Sequence, residues 1–288
     1  MKPSRSRFLE VRGLRYHLRE WGDASAPMLF MLHGWMDVSA SFQFTVDAFA
    51  RDWHVLAPDW RGFGLSQRAP GGYWFPDYIA DLDALLEACT PDAAVPVVGH
   101  SMGGNVAGLY AGIRPERVSK LVLAEGFGLP RTVPAQAPGR YLKWLESLSD
   151  PPKLQPYASF EKVAARLLAN TPGLGEARAR FLAEHWAEEI APGRIELRAD
   201  PLHKAPNPVL YRVEEAMACW RRITAPTLWV HSGGDWLLRF MKDDGGEALA
   251  AYRGAYRALS ECRIEGASHM MHHDQPERLA QAIEAFLG

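Results

Sequence analysis

Ser101 stands at the centre of a G-x-S-x-G pattern, with Gly99 before it and Gly103 after it. The Val-rich run at 95–98 predicts a buried strand, and the small apolar residues from 105 onward predict a helix. A sharp turn between two such elements leaves no space for side chains at the flanking positions, which explains both glycines. The pattern therefore predicts a nucleophilic serine, against the alternative of an ordinary serine in a glycine turn.

A neutral serine is a poor nucleophile, so it needs a base within hydrogen-bonding reach and a group that orients that base. Among the ten histidines, His269 is the predicted base because a strand end and the loop 266–268 position it. His272 and His273 follow on the predicted exposed start of the last helix and are weaker candidates. His100 adjoins the serine, and we expect its ring to pack away from the hydroxyl.

The predicted orienting acid is Asp235, which follows a buried strand and a flexible Ser-Gly-Gly loop. Glu125 is the alternative acid, because it also ends a strand, one strand earlier in the chain. Asp37 and Asp59 precede the serine, whereas this architecture uses the order serine, acid, histidine. We expect Asp59 to brace its loop by pairing with Arg61.

Attack on a carbonyl builds negative charge on oxygen, and preorganised N–H groups stabilise that charge; losing one donor costs ~100- to 1000-fold in rate. The predicted donors are the backbone N–H groups of Met102, which follows the nucleophile, and of Trp35, which follows His33 and Gly34 at a strand exit. Candidate pocket-lining residues, for which packing in the core is the alternative, are His33, Trp60, Trp144 and Trp236.

Continuous apolar runs are typical of strands covered on both faces, and this chain has them at 27–32, 55–57, 95–98, 121–124 and 226–230. Residues 8–12 and 14–20 alternate around Gly13 and predict an antiparallel hairpin at a sheet edge. Helical patterns alternate with the strands. The order predicts an α/β fold with a mostly parallel sheet and helices on both faces.

Residues 129–222 differ in character, since they hold 11 of the 21 prolines and show helical patches without strand-like runs. We expect a core of residues 1–128 and 223–288, with 129–222 inserted as a helical cap.

Composition sets limits on partners and location. The net charge of −2 gives no electrostatic case for nucleic acid or an anionic membrane, and no apolar stretch approaches the ~20 residues that span a bilayer. The basic N-terminus has no apolar run behind it, so we expect no signal peptide. Cys89, Cys219 and Cys262 are few and widely spaced, which favours a reducing cytoplasm and indicates no metal site.

Together these motifs resemble those of the α/β-hydrolase fold family, nearest to its serine-hydrolase-like and esterase branch. The residues that carry the resemblance are 33–35, 59–66, 99–104 and 266–269. The resemblance implies an eight-stranded sheet, a helical lid between the sixth and seventh strands, no cofactor, and the triad of Ser101, Asp235 and His269.

Two departures from the motifs of other enzymes of this fold reduce the number of activities that we expect. Haloalkane dehalogenases and epoxide hydrolases of this fold carry Asp at the nucleophile position, so Ser101 speaks against both. The oxyanion loop lacks the His-Gly-Gly-Gly run of many lipases, which disfavours large lipids.

The sequence thus predicts a cofactor-free serine hydrolase that cleaves a small carboxylic ester through an acyl-enzyme. The alternatives are a carbon–carbon bond hydrolase, thioesterase, lactonase or perhydrolase with the same triad, and a catalytically silent ligand-binding protein. The expected partner is a small ester-like molecule; a homo-oligomer is compatible with the sequence, which leaves the oligomeric state open.

Overall fold

One large β-sheet forms the centre of the computed structural model of the chain, which describes residues 1–233, 238, 240–242 and 246–288. The strands, numbered in chain order, are β1 (Ser4–Val11), β2 (Leu14–Trp21), β3 (Met28–Leu32), β4 (His54–Pro58), β5 (Val95–His100), β6 (Val118–Ala124), β7 (Ala187–Ala191), β8 (Arg194–Leu197), β9 (Thr227–His231) and β10 (Leu259–Arg263).

Eight of these strands pair in the order β1-β2-β4-β3-β5-β6-β9-β10. β1 and β2 form the predicted antiparallel hairpin, with Ser4 opposite Trp21, and β2 is also antiparallel to β4. All other pairs in the sheet are parallel. The prediction of a mostly parallel, eight-stranded sheet is confirmed. Because parallel strands end at the same edge, the loops after β3, β5, β6, β9 and β10 meet there.

Helices cover both faces of this sheet and also fill the segment between β6 and β9. They are α1 (Gln43–Ala48), α2 (Phe75–Cys89), α3 (Met102–Ile113), α4 (Ala137–Ser149), α5 (Phe160–Asn170), α6 (Glu176–Trp186), α7 (Val213–Trp220), α8 (Glu247–Arg253), α9 (Met271–Asp274) and α10 (Pro276–Leu287). Across the described residues, every helix falls short of the length and hydropathy that a bilayer crossing requires.

The central strands alternate between two hydrophobic cores, one on each face of the sheet. Val97 packs into the core that contains α3, and Val98 packs into the core that contains α10. Leu121 and Val122 divide in the same way. Successive side chains of a strand point to opposite faces, so a strand covered on both sides must be apolar throughout. This requirement explains the continuous apolar runs in the sequence.

The segment between β6 and β9 contains a two-stranded sheet that the sequence analysis missed. β7 and β8 pair antiparallel in a segment for which the sequence predicts helical patches without strands, and α6 ends at Trp186, directly before β7. β7 carries two glutamates and is mostly exposed, so it lacks the apolar run by which buried strands are recognised. The sequence signal that remains for this hairpin is Gly193, which lies in the turn between β7 and β8 and has φ +70°.

Close packing of α3 against α7 gives a first test of the fold. A Cβ atom added at Gly112 would lie 2.0 Å from the carbonyl oxygen of Cys219, whereas one added at Gly139 would meet nothing within 4 Å. Overpacking of this kind costs roughly 1–3 kcal/mol, so we expect Gly112→Ala to lower the free energy of unfolding by that amount. Gly139→Ala should change it by less than about 1 kcal/mol. Urea unfolding followed by tryptophan fluorescence measures both; equal stability of the two variants would contradict this packing.

Candidate active site

Ser101 occupies a strained turn between β5 and α3. Its backbone has φ +50° and ψ −114°, a region that costs a non-glycine residue ~1–3 kcal/mol. A Cβ atom at Gly99 would lie 2.5 Å from the carbonyl oxygen of Gly103, and one at Gly103 would lie 2.2 Å from that of Leu32. Both glycines of the sequence pattern are therefore required by close backbone contacts. The turn points the Ser101 side chain out of the sheet edge.

His269 lies against this serine, with Nε2 3.1 Å from Ser101 Oγ. The histidine follows β10 in a loop that its neighbours hold in place. The Ser268 N–H donates to Asp274 Oδ2 at 2.9 Å, and the Met270 N–H donates to Ser268 Oγ at 3.1 Å. The predicted nucleophile and base, 168 residues apart in the chain, are thus within hydrogen-bonding distance.

Glu125, the alternative acid, faces the other side of the imidazole. Its Oε2 lies 3.5 Å from His269 Nδ1, and its side chain is only 2% exposed. The second carboxylate oxygen, Oε1, accepts a hydrogen bond of 2.5 Å from the Ser232 N–H. Asp235, the acid favoured by sequence, lies outside the described residues. Of the two candidate acids, Glu125 is therefore the one whose position relative to His269 the structure describes.

Three buried histidines lie behind the base, which corrects the expectation that His272 and His273 are exposed. His100 donates from Nε2 to the His269 carbonyl oxygen at 2.8 Å, and its ring packs 4.1 Å from that of His272. Burial lowers the pKa of His272 to about 3 and holds the pKa values of His100 and His273 well below 6.5. These histidines are neutral at physiological pH. The expected exposure of His272 and His273 was wrong because α9, which carries both residues, packs against α1.

The same cluster contains the candidate metal ligands among the described residues. Asp37, His100 and His272 each offer one ligand atom, and the three atoms lie within 4.8 Å of one another. His272 Nε2 already donates to Asp37 Oδ2 at 3.0 Å. A metal ion would have to replace that hydrogen bond.

The predicted oxyanion donors come from two loops that meet at Ser101. A Cβ atom on Gly34 would lie 3.2 Å from Ser101 Cβ, so the loop after β3 passes directly beside the nucleophile. Met102 is the first residue of α3, and N–H groups in the first turn of a helix have no acceptor within that helix. The Trp35 indole donates to the His203 carbonyl oxygen at 3.3 Å.

A cavity of about 400 Å³ opens above the serine; we call it the catalytic cavity. Its lining includes Trp35, Phe75, Ser101, Met102, Leu129 and His269. The sequence analysis missed Phe75 and Leu129, which reach the cavity from α2 and from the segment after β6 without any local motif. It also missed Asn105, which lies one turn after the serine and donates from Nδ2 to the Ser101 carbonyl oxygen at 3.3 Å.

Of the expected pocket-lining residues, His33, Trp60 and Trp144 do not line this cavity. His33 and Trp60 are fully buried in the core, where the Trp60 N–H donates to His33 Nε2 at 2.9 Å and the Trp60 indole donates to the His33 carbonyl oxygen at 3.0 Å. Buried hydrogen-bonding groups need partners, and here the two N–H groups of Trp60 and the two acceptors of His33 satisfy one another. Trp144 lies on α4 with its ring centre 6.5 Å from that of Trp74, and Trp236 lies outside the described residues.

The expected pair of Asp59 and Arg61 is also corrected. Asp59 Oδ2 instead lies 2.7 Å from His17 Nδ1 and accepts from the Leu65 N–H at 2.9 Å. Burial opposes the charge on Asp59, but these partners hold its pKa well below the usual range. Arg61 pairs with the fully buried Asp81 at 2.5 Å and 2.6 Å. Asp59 still braces its loop, through different partners.

Fold and site together define a class of protein. The family model for the alpha/beta hydrolase fold matches residues 27–276. The chain belongs to the α/β-hydrolase fold family.

Individual proteins that are similar to the chain include serine hydrolase-like proteins and a thioesterase domain. The chain is 27% identical to the serine hydrolase-like protein of Danio rerio over 96% of its own length and 85% of the relative's. It is 24% identical to serine hydrolase-like protein 2 of Homo sapiens, over 93% and 89% of the two chains. A thioesterase domain from the curacin biosynthetic pathway superposes with a TM-score of 0.85 at 24% identity, covering 98% of this chain and 99% of that one.

The geometry at Ser101 predicts selective chemical reactivity. A serine hydroxyl activated by a neighbouring histidine reacts with fluorophosphonates, whereas ordinary serines do not. We expect one label per chain, on the peptide that contains Ser101, and no label on the Ser101→Ala protein. Ser25→Ala, which alters an exposed loop serine, is the matched control and should label fully. Mass spectrometry of the intact and digested protein measures this; labelling at another serine would contradict the assignment.

Proposed function

We propose that this protein is a cofactor-free serine hydrolase that cleaves a carboxylic ester of a small molecule through an acyl-enzyme. The observation that carries the proposal is the 3.1 Å separation of His269 Nε2 and Ser101 Oγ at a strained strand-to-helix turn. A receptor that only binds its ligand would need neither the strain nor the paired base. Membership of the α/β-hydrolase fold family supports a hydrolytic reaction.

In the first half of the reaction, Ser101 Oγ attacks the ester carbonyl carbon while His269 Nε2 takes the hydroxyl proton. The carbonyl oxygen becomes an oxyanion, which the N–H groups of Trp35 and Met102 stabilise. The tetrahedral intermediate then collapses, the bond to the alcohol oxygen breaks, and His269 gives its proton to the departing alkoxide.

In the second half, water replaces the alcohol. His269 accepts a proton from the water as its oxygen attacks the acyl-enzyme carbonyl carbon. Collapse of the second intermediate breaks the bond to Ser101 Oγ, and the proton returns from His269 to that oxygen. The carboxylic acid is released and the enzyme is restored.

For the orienting acid we propose Glu125 in place of Asp235. The 3.5 Å separation between Glu125 Oε2 and His269 Nδ1 supports this choice, and catalytic hydrogen bonds are often long before substrate binds. The near-complete burial of the Glu125 side chain strengthens its field at the imidazole. Asp235 is the competing candidate that the experiment must exclude.

We also propose that residues 129–222 act as a lid. Leu129 contributes to the catalytic cavity from the start of this segment. The carbonyl of His203, from its later part, accepts the hydrogen bond of the Trp35 indole at the cavity wall. A cover of this kind would exclude water from the acyl-enzyme and determine which esters fit.

The activity is tested with activated substrates that share a short acyl group. We expect p-nitrophenyl acetate to be hydrolysed with a burst of one nitrophenolate per chain, because an acyl-enzyme forms before water attacks. A thioacetate and a small lactone, assayed beside it, report on the alternative bonds. Ser101→Ala should abolish every turnover. Absence of turnover on all three substrates by a folded, fluorophosphonate-reactive protein would reject the ester proposal.

The choice of acid is tested by two amide variants. Glu125→Gln keeps an oxygen to accept the Ser232 N–H but removes the charge beside His269, so we expect kcat to fall by up to ~10⁴-fold. Asp235→Asn should keep kcat within about tenfold of the parent value. Melting temperatures of both variants control for unfolding. The reverse pattern would assign the acid to Asp235.

A further inference from the structure

A second cavity, of about 670 Å³, adjoins the catalytic cavity. The two cavities share Phe75 and Leu129 as lining residues, so these side chains stand at the junction. Beyond the junction, the wall is formed by Ile79 of α2, Leu109 of α3 and Cys219 of α7. The second cavity is therefore built into the helices that flank Ser101, next to the catalytic cavity.

The lining of the second cavity is chiefly apolar. Its charged members are Arg140, Arg212 and Glu215. Arg212 and Glu215 are exposed and Arg140 is half-buried, so their charged groups can remain hydrated while an apolar group fills the space. An acetyl or butyryl group would fill only the catalytic cavity. Binding sites of ~300–1000 Å³ hold whole ligands, so the second cavity has room for a substantial further group.

We propose that the second cavity binds the acyl chain of the substrate, and that the preferred substrates are esters of medium-length unbranched fatty acids. The inference rests on the proposed function and specifies its substrate class. The carbonyl would sit at Ser101, and the chain would pass between Phe75 and Leu129 towards Ile79 and Leu109.

The chemistry of the reaction indicates why the acyl chain, and not the alcohol, occupies this cavity. His269 must reach the departing alkoxide, so the alcohol lies beside His269 and Glu125. Both residues line the catalytic cavity, and neither is among the described residues that line the second one. The group directed through the junction at Phe75 and Leu129 is therefore the part of the substrate that stays attached to Ser101.

Two substrate series test this assignment. In the first, the leaving group is p-nitrophenolate and the acyl group lengthens from acetyl through butyryl and octanoyl to dodecanoyl, each below its micelle concentration. Burial of each methylene favours binding by up to ~4-fold, so we expect kcat/KM to rise on the order of 100-fold from acetyl to octanoyl. In the second series, acetate esters of ethanol to octanol should differ by less than about tenfold.

Two variants locate the chain. Ile79→Trp and Leu109→Trp enlarge side chains beyond the junction, so we expect the ratio of octanoyl to acetyl ester hydrolysis to fall at least tenfold. Ile190→Trp, which adds the same side chain on exposed β7, is the matched control. As a readout other than turnover, calorimetry should show octanoate binding to Ser101→Ala protein and at least tenfold weaker binding once Leu109→Trp is added.

The outcomes separate this inference from the proposed function. A flat or falling acyl-length profile in a protein that hydrolyses the acetyl ester overturns the acyl-chain assignment alone. So does a rise with alcohol length in place of acyl length, or an equal loss on all esters in the two tryptophan variants. Failure to hydrolyse any ester and to label at Ser101 would overturn the proposed function, and the inference with it.

Discussion

The site depends on one constraint, the close approach of three backbone segments at the turn that carries Ser101. Gly103 lies against the end of β3, and a Cβ atom on Gly126, just after β6, would lie 2.5 Å from the Ser101 carbonyl oxygen. Side chains cannot enter these contacts, so the loops after β3 and β6 are held against the nucleophile. This approach brings the loop that carries Gly34 and Trp35, and the Glu125 carboxylate, to the site. The left-handed backbone of Ser101 is maintained because its surroundings are rigid.

The base is supported from behind by neutral side chains. His100 anchors the His269 carbonyl, and burial keeps the pKa values of His100 and His272 low. A protonated histidine at either position would repel the imidazolium that the proposed mechanism forms on His269. Because they are uncharged, these histidines can hold His269 in place without opposing a positive charge on its imidazole. Glu125 Oε2 lies 3.5 Å from His269 Nδ1, on the opposite side of the imidazole, where the proposed mechanism needs a negative charge.

The segment between β6 and β9 has a structural role as well as the proposed one at the cavity. Leu167, Leu182 and Ile195 share a separate hydrophobic cluster, which α5, α6 and the β7–β8 pair build together. Phe44 of α1 joins this cluster and links it to the core. The segment also carries Trp220 of α7 into the main core. α7 therefore has two structural roles, because Cys219 lines the second cavity and Trp220 packs in the main core.

Local chemistry in the sequence was sufficient for the sheet and for the positions of the candidate nucleophile and base, Ser101 and His269. Continuous apolar runs predict strands that are buried on both faces, and the glycines around Ser101 follow from backbone contacts that any such turn requires. These signals are short-range, since strand period and turn geometry involve residues adjacent in the chain. The location of His269 was also predictable, because it follows a strand that must end at the same sheet edge.

Tertiary structure decided the features that depend on residues distant in the chain. His272 and His273 appeared exposed in sequence because nothing local reveals that α9 packs inward. Likewise, the partners of Asp59 and the burial of Trp60 follow from contacts between separate strands and loops. Glu125 and Asp235 are both carboxylates that follow strands, and the flexible loop before Asp235 was the local feature that favoured it in the sequence. The known position of Glu125 beside His269 arises only when β5, β6 and β10 are placed in one sheet, because distance to the imidazole is a property of the assembled fold.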